Sequence, residues 1–110
     1  MMRPPLSSAA AGLLRGILAR AAVGRERVLL IDFRSVDWQS LTFVGERHEM
    51  RLKILGPDAR VVADRLLQNL AEAEWTVPGQ IVADMASGAP PVEGDDGSIT
   101  IALEALTIVE

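Results

Sequence analysis

His48 is the one histidine of a 110-residue chain that has no cysteine. A lone imidazole acts as a general base only with a nucleophile or an acid in hydrogen-bond reach, and the residues beside it fix neither. It shares parity with Met50, Leu52 and Ile54, so we expect it on the apolar side of a strand, near the rim of a sheet. A backbone group or a carboxylate such as Glu46 is its expected partner. Zinc prefers His and Cys ligands, and one His without Cys does not make a site. Glu93, Asp95 and Asp96 gather near a turn without the alternating acids of a calcium loop, so they read as a solvated hairpin tip. The run Gly94-Asp95-Asp96-Gly97 would set carboxylates against a phosphate. No catalytic residue, metal ligand or cofactor is therefore expected, and an enzyme pairing His48 with Asp or Glu is the weakest reading.

Residues suited to protein contact are better represented. Over residues 41 to 55, Arg47, Glu49, Arg51 and Lys53 alternate with His48, Met50, Leu52 and Ile54, which predicts a strand with one core face and one charged face. Trp38 falls in the expected first hairpin loop with Arg34 and Asp37, where an indole anchors a partner or folds over the open end of the core. Trp75 follows the second helix and reads as a core plug. Charge is also divided along the chain: residues 1 to 55 carry nine Arg and Lys against five Asp and Glu, and residues 56 to 110 carry two against ten. Complementary patches on different surfaces of one chain give a head-to-tail contact, which closes into a ring when the rotation permits. Trp38, Arg47, Arg51, Lys53, Asp95 and Asp96 are accordingly the candidate interface residues, with a solvated strand face as the plain alternative for the charged row. Exposed ion pairs contribute about 0–1 kcal/mol each, so charge would orient such a contact and apolar burial would supply its affinity.

These residues must be carried by a small number of elements. Ser7 and Ser8 can cap a helix whose Ala10, Leu13, Leu14, Ile17, Leu18 and Ala21 share one face, with Gly24 as its stop. Gly12 and Gly16, one turn apart, either admit a partner backbone or are simply tolerated. Residues 28 to 33 form a strand that begins as a fully apolar run. Pro57 and Asp58 open a second helix running to about residue 74, with Ala59, Val62, Ala63, Leu66, Leu67 and Leu70 inward. Residues 80 to 86 give a third strand, residues 87 to 97 a long hairpin loop rich in Gly, Pro and acid, and residues 99 to 109 a fourth strand. The parity of that last strand slips between Leu103 and Leu106, which predicts either a bulge near Glu104 and Ala105 or cover on both faces. The sum is one α+β domain over residues 1 to 110, with residues 1 to 6 flexible. Its expected architecture is a two-layer sandwich: a four-stranded, mainly antiparallel sheet with two helices on one face, in the order α-β-β-α-β-β.

Composition narrows the class of function. The chain is 49% hydrophobic, enough for a core in one domain of this length and too much for wholesale disorder. A net charge of −4 and an isoelectric point near 4.9 argue against nucleic acid as a partner. Gly12, Arg15, Gly16 and Arg20 interrupt the early apolar positions, so neither a secretory signal nor a membrane span is expected. The absence of cysteine suits the cytoplasm.

From about residue 7 to residue 110 the chain resembles the small tail-completion, or tail-terminator, proteins of tailed bacteriophages and gene-transfer agents. The phrases that carry the likeness are Asp37-Trp38, Gly45-Glu46-Arg47-His48, the helix over residues 58 to 73, Val77-Pro78-Gly79-Gln80-Ile81-Val82, Asp96-Gly97-Ser98 and Leu106-Thr107. The resemblance implies a structural protein that forms a ring on the end of a tail tube, without enzymatic activity or cofactor. Here residues 23 to 27 alone join the first helix to the first strand, a shorter link than that family tends to have. The alternative is a ferredoxin-like small-ligand-binding or regulatory domain, because helix-strand-strand repeated twice is a circular permutation of that topology. It expects an apolar pocket between helices and sheet.

Overall fold

The computed structural model describes residues 6 to 110. Helix α1 (Ser8–Ala21) leads to strands β1 (Val28–Gln39) and β2 (Val44–Ile54), then helix α2 (Ala59–Leu67) and strands β3 (Gln80–Glu93) and β4 (Ile99–Val109). Short 3-10 turns, Arg25–Arg27 and Leu70–Glu72, precede β1 and follow α2. The expected flexible start lies outside the described residues except for Leu6, which packs half-buried against the core.

Helix α1 begins where the sequence places it, with the Ser7 hydroxyl accepting from the Ala10 amide at 3.1 Å. It ends earlier than Gly24, at Ala22 in the left-handed region with φ 57°. Helix α2 is shorter still: it stops at Leu67 rather than near residue 74, and Asn69 turns left-handed at φ 55° before the 3-10 turn. Both ends have the same cause. Arg65 of α2 donates to the carbonyl of Ala21 at 2.8 Å, and Arg20 of α1 donates to those of Leu66, at 3.2 Å, and Gln68. Each helix thus caps the other's C-terminus with a guanidinium, where the free carbonyls carry the negative end of the helix dipole.

The four strands pair antiparallel throughout in the order β1-β2-β4-β3. Both helices cover one side. Leu13, Ile17, Val62 and Leu66 meet Met50, Leu52, Ile54, Ile99, Ile101, Leu103 and Met85 in a single buried cluster. Gly12 and Gly16 serve this packing rather than a partner: a methyl at Gly12 would stand 2.7 Å from Val77 Cγ1, and one at Gly16 would stand 3.2 Å from Trp75 Cε3. Trp75 plugs the core edge, its Nε1 donating to Leu70 at 3.4 Å and its ring lying 5.9 Å from the Arg20 guanidinium. Among the described residues no helix is long and apolar enough to cross a membrane.

Three strand boundaries differ from expectation. β1 continues to Gln39, so Trp38 sits in the strand opposite Gly45 and not in a loop. β3 continues to Glu93, which turns most of the expected 87–97 loop into strand and leaves only a tight turn between Gly94 and Ser98. Gly88, Pro90 and Pro91 disguise it, and an outer strand with register shifts is where such residues are tolerated. β4 has no bulge against β2, whose pairing runs unbroken from Gly45↔Ile108 to Ile54↔Ile99. Ile99, Ile101, Leu103, Ala105 and Thr107 all point inward, so Leu106 and Ile108 lie half-buried on the opposite face.

Candidate functional site

Register arranges the uncovered side of the sheet in rows that run β1, β2, β4, β3. They are Trp38–Gly45–Ile108–Ile81, Val36–Arg47–Leu106–Asp84, Arg34–Glu49–Glu104–Ala86, Asp32–Arg51–Ala102–Ala89 and Leu29–Lys53–Thr100–Val92. The first row is apolar, the middle rows are charged, and the last is mixed. Trp38 and Arg47 therefore stand at one end, Lys53 and the tip acids Asp95 and Asp96 at the other, with Arg51 between. Eight residues of strand separate the ends, about 27 Å.

Part of the charged stretch is satisfied by its own chain. Arg51 forms an ion pair with Asp32 across β1 and β2, both side chains about half exposed. Lys53 lies 3.9 Å from Asp96, and Asp96 also accepts from the Ser98 hydroxyl at 2.6 Å and the Ser98 amide at 3.0 Å. Those hydrogen bonds, helped by Lys53, hold the Asp96 carboxyl below its usual range, so this acid builds the β3–β4 turn. Arg27 donates to the Leu55 carbonyl and to Asp58, holding the Asp58 carboxyl low and fixing the entry to α2. The basic and acidic halves of the sequence thus meet inside one copy. Asp95 is exposed, and among the described residues Arg47 makes no ion pair. Glu49 and Glu104 oppose each other, with Glu104 Cγ lying over Gly88, 3.0 Å from where a methyl there would be. A shallow depression of about 490 Å³ follows this stretch, lined by Asp32, Arg34, Glu49, Arg51 and Glu104 among others.

The apolar end is the feature that reading the sequence missed. Nine large apolar side chains are strongly exposed among the described residues. Six of them lie at one end of the sheet: Val36, Leu41, Phe43 and Val44 in the β1–β2 hairpin, Val109 on β4 and Ile81 on β3, with Val36 and Ile81 on the uncovered face and Val44 and Val109 of the opposite parity. Leu41 protrudes fully at the tip, where the Ser40 hydroxyl accepts from the Phe43 amide at 3.1 Å and shapes the turn. Such clustering marks a contact surface more than singly scattered apolar residues do. The even positions Leu106 and Ile108, out of step with the buried odd ones, were the available signal.

His48 lies on the other side of the sheet and is 1% exposed. Its Nδ1 is 2.8 Å from Ser35 Oγ and its Nε2 is 2.8 Å from Thr107 Oγ1, so hydroxyls on the flanking strands replace the expected backbone or Glu46 partner. Burial lowers its pKa, with the charge of Glu46 opposing. The imidazole therefore ties three strands together in its neutral form. Beside it the space lined by Leu13, Ile17, Met50, Met85, Leu103 and Ala105 has no room for a water molecule. Compared with protein-family models, curated protein sequences and solved structures, the chain matches none of them.

Proposed function

We propose that this chain is a non-enzymatic structural module that assembles with further copies of itself through the apolar end of its sheet. The observation that carries the reading is the concentration of exposed apolar side chains around the 39–44 hairpin, on a domain whose helices cover only one sheet face. A ring-forming role of the tail-completion kind fits such an end. Burying a large apolar side chain contributes about 1.5–3 kcal/mol, so several together outweigh the cost of association in a way exposed ion pairs do not. Other copies rather than an unlike protein are favoured because the face beside this end carries both signs of charge and can oppose itself.

Light scattering on the eluting protein tests this directly. The native chain is expected to run as a multiple of 11.8 kDa, and Leu41→Asp with Phe43→Asp to run as a smaller one. Both side chains sit exposed in or beside a turn, so the double variant keeps its fold. A native chain that stays monomeric at high concentration and low salt overturns the proposal. The small-ligand alternative needs space between helices and sheet, and the tight packing beside His48 gives it no support.

A further inference from the structure

The two edges of the sheet are unlike. β3 is blunted along its length by register shifts at Val82/Asp84, Ser87/Ala89 and Ala89/Val92, and Pro90 and Pro91 have no N–H to offer. β1 keeps unbroken register with β2 from Asp32 to Gln39, and its segment from Phe33 onward has no proline, lysine or bulge. Among the described residues, the backbone of positions 33 to 39 pairs with nothing but β2. Seven residues of strand, about 24 Å, thus present free N–H and C=O groups.

We infer that this edge pairs with the same edge of a second copy, antiparallel, with Val36 on the two-fold axis, so that two sheets join into one of eight strands. The sequence of the edge selects that register. In an antiparallel pair, directly opposed residues share a face. Centring on Arg34 or on Asp37 sets like charges against each other, and centring on Ser35 sets Asp37 against Phe33. Centring on Val36 sets Arg34 against the Trp38 indole of the other copy, a cation over an aromatic face, and Ser35 against Asp37, a hydroxyl that can donate to a carboxylate. The apolar pair Val36 and Val36 fills the axis, each 41% exposed in the single copy. A two-fold perpendicular to the sheet keeps both helix layers on one side and sets the two hairpin turns on opposite sides of the axis. Val36 and Trp38 belong to the edge contact, whereas Leu41 and Phe43 lie in the turn beyond β1, so the hairpin variant and Val36→Lys break different contacts.

Cysteine placed on the axis reads this out in a chain with none of its own. Directly opposed residues in an antiparallel pair have Cα atoms about 4.5–5.5 Å apart, within the span of a disulfide. Val36→Cys is expected to form a covalent dimer in air about a hundredfold faster than Val92→Cys at ~10 μM protein, because a preformed pair holds its thiols at roughly millimolar effective concentration. Val92, on the blunted β3 edge, is the more exposed position at 64%, so exposure alone would predict the reverse order. Val36→Lys sets two ammonium groups against each other and should abolish the dimer that survives in Leu41→Asp with Phe43→Asp. Equal cross-linking rates at the two positions, or an assembly indifferent to Val36→Lys and lost in the hairpin variant, overturn the inference.

Discussion

Thr107→Val is the sharpest probe of how the sheet is held together. Valine has the shape of threonine, so the change leaves no cavity; it removes only the hydroxyl 2.8 Å from His48 Nε2. Thr107 is 0% exposed and His48 1%, and the neighbouring gap admits no water. The ring nitrogen is then left buried without a partner, at a cost of about 1–3 kcal/mol. For a domain near this size that is a fall in Tm of roughly 4–20 °C. Urea unfolding followed by far-UV circular dichroism and tryptophan fluorescence measures it, with an unchanged dependence on urea showing that both end states are preserved. Replacing the whole set by apolar groups, Ser35→Ala with His48→Leu and Thr107→Val, should recover most of the loss, since no buried polar atom is then stranded. Thr107→Val within about 0.5 kcal/mol of the native chain would refute this reasoning, that being the usual range of an inconsequential change.

Further expectations follow from the same contacts. Because burial keeps the folded His48 pKa below the ordinary 6.5, the unfolded chain takes up the proton first; stability is full above pH 6.5 and is lost as pH falls below it, at up to about 1.4 kcal/mol per unit. His48→Gln should flatten the urea midpoint between pH 7 and 5, a window that excludes Asp58 and Asp96, whose carboxyls titrate below 3.8. Gly12→Ala drives a methyl into Val77 and should destabilise by about 1–3 kcal/mol in the same unfolding assay. Ala22→Gly relieves a left-handed alanine and should raise stability by about 0.5–1 kcal/mol. Arg65→Ala removes the cap on Ala21 and should cost about 0.5–1.5 kcal/mol, whereas Arg51→Ala, on an exposed pair, should cost less than Arg65→Ala and vary with salt.

The elements that could be read from sequence are those whose two faces meet different surroundings. β2 alternates from Arg47 to Ile54 because helices lie on one side and solvent on the other, and the sequence records that contrast residue by residue. β4 hid its regularity because its outer face is apolar at Leu106 and Ile108, so a strand without a bulge looked like one with a slip. β3 was concealed by Gly88, Pro90 and Pro91, which local preference assigns to a loop and an outer strand accommodates. The helix ends were beyond local reading altogether. Arg20 and Arg65 act on carbonyls more than forty residues away, and Ala22 and Asn69 turn left-handed where those caps sit. Likewise Thr107, which satisfies His48, lies 59 residues from it in the chain. Of the six candidate contact residues, parity placed Arg47, Arg51 and Lys53 on the outward face, while the bond from Asp96 to Ser98 could be recognised only once the turn was in hand.

The division of charge between the halves changes meaning once the chain is folded. Arg27 is engaged with Asp58, Lys53 with Asp96 and Arg20 with the carbonyl end of α2, so part of the basic first half holds the second half in place. What remains outward for a partner is a face on which both signs alternate, and pairs there contribute about 0–1 kcal/mol apiece and weaken with salt. The apolar residues at the hairpin end contribute about 1.5–3 kcal/mol each when fully buried, a term that salt does not screen. Raising ionic strength should therefore leave the complex standing, and by screening the repulsion between two copies of net charge −4 it should not slow their encounter. A complex that dissociates in moderate salt would return the decisive role to the charges.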